Sequence, residues 1–203
     1  MKKLYVIFSS TDLKIGKMIR AFTRNKYNHC SVCLREDLSK FYSFSRLYRS
    51  NPLIGGFTVE SPCRYTESPR TKVKIVEVPL SDSRFERVRD MIVQMKEHDD
   101  EYVYNYFSAA VYLFGRKFER DNAFTCAEFT NHLLKAAGID MPERANIEQM
   151  EAALADYPTW EGRAVDGLFE TSWGDDKYLD PIGKRESAKQ ICRRFKRLVV
   201  GHT

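Results

Sequence analysis

The sequence predicts an α+β fold in which an antiparallel sheet comes mainly from the first half of the chain and helices from the second. Three observations carry this. Short apolar or alternating segments precede the long helical periodicities rather than interleaving with them, the order expected of α+β rather than α/β proteins. Residues 72–78 alternate and are β-branched, as a half-buried strand requires. Residues 125–137 combine a helix-start signature with an apolar face and a glycine stop.

Taken in order, residues 4–8 form a short buried strand. Thr11 or Asp12 then caps a helix with Leu13, Ile15, Met18, Ile19 and Phe22 on its apolar face. Residues 28–34 and 41–45 read as two strands of a hairpin joined by the polar turn through Arg35, Glu36 and Asp37. Pro52, Gly55 and Gly56 place a turn or lid before the strand at 72–78. A Ser81/Asp82 cap opens a helix carrying Phe85, Val88, Met91, Ile92 and Met95 on one side, and residues 104–114 form an aromatic-rich helix. Residues 146–155 form another helix. A single domain is expected over 1–203, with its core at about 4–140 and helical additions from 141 to 203.

With 43% hydrophobic and 30% charged residues in 203, the chain is long enough to bury a core without disulfides or a structural metal. Its five cysteines (30, 33, 63, 126 and 192) are odd in number and lack framework spacing, which points to a reducing, cytoplasmic setting. No apolar run approaches the roughly 20 residues of a membrane span. The net charge of +5 is concentrated near the C-terminus, where Lys184, Arg185, Lys189, Arg193, Arg194, Lys196 and Arg197 face only Glu186. In that stretch Ile191, Phe195 and Leu198 share a helical face, so a docked terminal helix with a solvated basic side is expected. Peripheral contact with an anionic membrane is the alternative for the same helix. No nucleic-acid partner is expected, and no glycine-rich phosphate loop occurs.

The segment Phe124-Thr125-Cys126-Ala127-Glu128-Phe129 carries the chemistry. Thr125 and Glu128 make a capping box, so Cys126 falls at the first helical position. Free amides and the helix dipole there favour a thiolate and can hold an oxyanion. A thiolate nucleophile needs an imidazole to hold the ion pair and protonate the leaving group. His202 lies in the tail and His98 in an acidic, solvated run. His132 follows Cys126 by six residues, about 600° around the helix and so on the opposite side. His29, opening the strand at 28–34, remains. Alternation puts His29, Ser31 and Cys33 on one face of that strand and Cys30, Val32 and Leu34 on the other. This makes Cys30-x-x-Cys33 a pair of ordinary strand residues rather than a zinc or redox site, for which no second ligand pair exists.

Tyr27-Asn28-His29-Cys30-Ser31-Val32, Phe41 to Arg46 and Phe124 to Phe129 together resemble the circularly permuted papain-like superfamily, in its NlpC-related branch with YiiX-like proteins and, more distantly, lecithin retinol acyltransferase. In that branch the histidine strand precedes the cysteine helix, as it does here over roughly residues 4 to 140. The resemblance implies an antiparallel sheet packed on the cysteine-bearing helix. It also implies a polar residue on the strand after His29 that orients the imidazole. Ser43 is the first choice, Ser45 the second, and Tyr42 faces the other way.

These readings lead to a cysteine-dependent hydrolase acting on an amide or ester through a thioester, with Cys126, His29 and Ser43 as catalytic residues. Lipid acyl transfer or lipase action by the same fold, and a catalytically silent binding module, are the alternatives. No metal or organic cofactor is implied; the partner is a small-molecule, peptide or lipid substrate. An apolar channel would favour the lipid reading, and a sulfur far from the imidazole the silent one.

Overall fold

A computed structural model describes residues 1–10, 25–111, 120–170 and 172–200. Six strands form one antiparallel sheet: β1 (Lys2–Ser10), β2 (His29–Cys33), β3 (Phe41–Tyr48), β4 (Asn51–Glu60), β5 (Lys72–Leu80) and β8 (Thr159–Arg163), in spatial order β4-β3-β2-β1-β5-β8. A small parallel pair, β6 (Val103–Tyr104) and β7 (Ala123–Phe124), sits beside it. The helices are α1 (Cys63–Thr66), α2 (Asp82–Glu97), α3 (Tyr106–Val111), α4 (Cys126–Ala136), α5 (Ile147–Ala153), α6 (Ala164–Gly167) and α7 (Lys184–Val200). The chain is thus α+β, and among the described residues no helix is long and apolar enough to cross a membrane.

Strand β1 is central, which explains its unbroken apolar run. Leu4, Val6 and Phe8 point to one face, and Tyr5 and Ile7 to the other, and all are buried because both faces are covered. The first face meets α4 and α2 through Phe129, Leu133, Leu134, Val88, Ile92 and Met95. The second, smaller core gathers Cys33, Phe41, Tyr65, Val73, Ile75, Ala164 and Leu168. Helix α4 ends as its sequence dictates: Gly138 adopts φ +75°, and the Gly138 and Ile139 amides return to the carbonyls of Lys135 and Leu134.

Three expectations are corrected. Pro52, Gly55 and Gly56 form no turn; they belong to β4, an edge strand, where proline costs no ladder bond. The glycines mark close approach: a Cβ on Gly56 would lie 2.3 Å from the Tyr102 carbonyl oxygen, and one on Gly55 would lie 2.7 Å from the Tyr106 hydroxyl. Tyr104 ends a strand rather than starting a helix, because it pairs with Phe124; the helix begins at Tyr106, and its expected continuation to 114 passes beyond the described residues. Phe195 does not share the buried side of α7 with Leu198, for Arg194 takes that place and donates to the Gly55 and Tyr102 carbonyls at 3.0 and 3.1 Å. The helix expected after Thr11 or Asp12 lies outside the described residues. The region expected to hold helical additions also supplies the sheet's edge strand β8.

Candidate functional site

Cys126 opens α4 as its capping box requires. Thr125 Oγ1 accepts from the Glu128 amide at 3.2 Å, and Glu128 Oε2 accepts from the Thr125 amide at 2.7 Å. Among the described residues, this leaves the Cys126 and Ala127 amides of the first turn as uncommitted donors next to the sulfur. Helix α4 packs its apolar side on β2, and the sulfur comes to rest beside the end of that strand, within electrostatic reach of His29 and Cys30.

His29 is the first residue of β2. Its side chain is 14% exposed, and its Nε2 lies 3.1 Å from Oε2 of Glu60, the last residue of β4. Glu60 is fully enclosed. It accepts from Ser45 Oγ at 2.6 Å, from the Tyr65 hydroxyl, and from Arg64 Nη1 at 3.4 Å. Arg64 in turn clamps Asp176 through two N–H groups, Nε reaching Oδ2 at 2.5 Å. Asp176 also accepts from the amides of Ser61 and Tyr178. A line of alternating charge therefore runs from the sulfur through His29, Glu60 and Arg64 to Asp176.

Electrostatics follow this line. Burial works against a charged imidazole at His29, but the adjacent Glu60 carboxylate and hydrogen bonding with Cys126 win, raising its pKa from 6.5 to about 10. Burial opposes charge on Glu60 too, yet His29 and Arg64 hold it well below the usual carboxylate range. Hydrogen bonding from Cys30, then the His29 charge, overcomes burial at Cys126 and drives its pKa well below that of a free thiol. Cys30 moves the other way: burial and its bond to Cys126 keep it a thiol. Burial beside Glu60 likewise keeps Tyr65 a protonated donor.

The expected Cys126 and His29 thus stand together. Ser43 does not join them: its hydroxyl donates to the Cys30 carbonyl at 2.8 Å, which it holds in place across the β2–β3 ladder. Ser45 touches Glu60 rather than the imidazole, and Tyr42 stacks on Phe57 on the far face. The residue on the imidazole is Glu60, which the reading of residues 52–56 as a turn hid from view. Its signal was the alternating run Phe57-Thr58-Val59-Glu60, a strand ending in a carboxylate with a basic residue four positions on.

The other histidines are elsewhere. His132 lies exposed beside Phe124, partial desolvation and then Lys135 lowering its pKa, and His98 is exposed too. His202 lies outside the described residues. His132 borders a cleft of about 510 Å³ between α2 and the outer side of α4, which neither Cys126 nor His29 lines. Cys30 and Cys33 point to opposite cores, as alternation requires. Among the described residues no group of three His, Cys, Asp or Glu side chains is arranged to hold a metal ion.

Fold and site define an α+β protein in which a cysteine at a helix start, a histidine at a strand start and a buried glutamate meet. Compared with known proteins, the chain matches no family model, no curated protein and no solved structure.

Proposed function

We propose that the protein is a cysteine-dependent hydrolase of circularly permuted papain-like architecture, cleaving an amide or ester bond through a thioester. One observation carries the reading: a thiol at a helix N-terminus meets an imidazole whose far nitrogen is held by a buried carboxylate. The chain order, histidine strand β2 before cysteine helix α4, supports the permuted assignment.

In this mechanism Nε2 of His29 is committed to Glu60, which leaves Nδ1 for the sulfur. The Cys126 thiolate attacks the carbonyl carbon, and the oxyanion accepts from the Cys126 and Ala127 amides. The imidazolium passes its proton to the departing amine or alkoxide, leaving a thioester and a neutral imidazole. His29 then takes a proton from water as its oxygen adds to the thioester. Collapse releases the acid and restores the thiolate–imidazolium pair. Glu60 keeps the ring oriented and the imidazolium charged, and takes no part in bond making.

A silent binding module is the rival, and one observation favours it: Cys126 is only 8% exposed. Alkylation by iodoacetamide at about pH 6.5, with the five cysteines resolved by mass spectrometry, separates the two. The hydrolase requires Cys126 to react fastest despite its cover, faster than exposed Cys192, and p-nitrophenyl acetate to leave an acyl group on it. Labelling of Cys192 ahead of Cys126, with no acyl adduct, would falsify the enzymatic reading.

A further inference from the structure

The outward side of α7 is not a uniform solvated face. The helix is 17 residues long, about 25 Å. It docks through Ile191, Arg194 and Leu198, spaced by three and four residues, with Arg197 reaching Asp100 at 3.3 Å. Beside this docked side run two parallel stripes. Ala188, Cys192, Phe195 and Val199 recur at four, three and four residues, and all are exposed, Phe195 by 58% and Val199 by 42%, although one side of the Phe195 ring meets Phe107, ring centres 6.2 Å apart. Beside them Arg185, Lys189, Arg193 and Lys196 recur at four, four and three residues, also exposed. At 100° per residue the two stripes occupy adjoining sectors of one face.

We infer that α7 is an interfacial helix by which the protein seats on an anionic phospholipid surface, the stripe of Phe195 and Val199 entering the headgroup boundary and the cationic stripe meeting the lipid phosphates and carboxylates. Charge complementarity selects the occupant: the face has five exposed cations, counting Lys184, against Glu186. The apolar stripe selects lipid over nucleic acid, because a phosphate backbone rewards the cations but gives Phe195 and Val199 nothing to enter. Gly55, Tyr102 and Asp100 hold the inward half of the helix, so seating through the exposed stripes does not require the helix to undock. The inference stands whether or not Cys126 is catalytic.

The test is co-sedimentation of the full chain with vesicles of phosphatidylcholine alone or containing about one third phosphatidylserine, at low and high salt. Binding to the anionic vesicles, weakened at least about tenfold by raising salt through the Debye-screening range, is expected. Replacing Lys189 and Lys196 together by Gln should weaken it about 25-fold, roughly fivefold per charge. Phe195→Ser should weaken it about tenfold, with Val199→Ser as the substitute should the first variant melt early. Exchanging Arg70 and Lys72 for Gln, the same charge removed elsewhere, should change it less than about twofold. Equal binding to neutral vesicles, no binding to anionic ones, or tighter binding to an RNA or DNA oligonucleotide at matched salt each overturns the inference.

Discussion

The two faces of the central sheet are built from opposite materials and meet at one residue. On the α4 side, Phe44, Phe57 and Phe129 pack with ring centres 5.2 to 5.9 Å apart, over Val6, Phe8 and Val32, with Cys126 at the margin. On the other side the core is thinner, and its edge is a satisfied polar network of Ser31, Ser43, Ser45, Glu60, Arg64, Tyr65 and Asp176. His29 connects them, its ring bonded to the carboxylate of one region and electrostatically coupled to the sulfur of the other. Apolar area stabilises the first face without direction. The second is stable only while each buried charge keeps its partner, and that condition also fixes the imidazole.

The largest expected effect tests the junction itself. Cys126→Ala and His29→Ala should each lower p-nitrophenyl acetate hydrolysis by about 10³-fold or more. Retention of most activity in either variant would place the chemistry outside this junction.

Next comes the contrast between buried and exposed pairs. Asp176→Ala leaves the Arg64 guanidinium enclosed without its clamp, and urea unfolding should register a loss of about 3–5 kcal/mol. Asp37→Ala removes the exposed partner of Arg35 and should cost no more than about 1 kcal/mol. Similar losses would mean that the polar face contributes nothing special.

Glu60→Gln keeps the shape and removes the charge. Alkylation of Cys126 at about pH 6.5 should slow by about 10- to 100-fold, since the imidazolium that holds the thiolate loses its counter-charge. The pH dependence has two limbs. His29, raised from 6.5 to about 10, contributes stability that is complete below pH 6.5 and fades as pH climbs toward 10. Glu60, held below its ordinary value of 4.5, contributes stability that is complete above that pH and is lost on acidification below it. The gap in melting temperature between the native chain and Glu60→Gln should therefore be widest between these two ordinary values and close toward both extremes. A gap that does not vary with pH would show that the pair is not coupled.

Ser43→Ala should have the smallest effect, about 1 kcal/mol for the lost bond to the Cys30 carbonyl, with the alkylation rate of Cys126 unchanged. A slowing as large as that of Glu60→Gln would return the orienting role to the hydroxyl.

The same contrast explains what could be read from the sequence. Hydrophobic periodicity reports burial against an apolar partner, so the α4 side was legible: the capping box at Thr125 and Glu128, the face of Phe129, Leu133 and Leu134, the β2–β3 hairpin and the alternation in β5 all stand as expected. The polar face gives no such signal. A buried charge is recognisable only by its partner, and Arg64 and Asp176 lie 112 positions apart. Glu60 was obscured because Pro52, Gly55 and Gly56 suggest a turn, whereas the proline sits on an edge strand and the glycines admit Tyr102, Tyr106 and Arg194. In α7 the period was right and the face wrong, because an arginine that reaches two backbone carbonyls fills the inward position better than Phe195.

The clamp between Arg64 and Asp176 also imposes an order in time. A ribosome adding about 5–20 residues per second delivers Asp176 roughly 3–10 s after Cys126, so the nascent chain holds Cys126, His29 and Glu60 before the carboxylate that clamps Arg64 exists. Through that interval Glu60 alone faces both His29 and Arg64, and the polar core lacks its second carboxylate. The network around Cys126, His29 and Glu60 therefore gains its last charged partner only once the segment carrying Asp176 has been made.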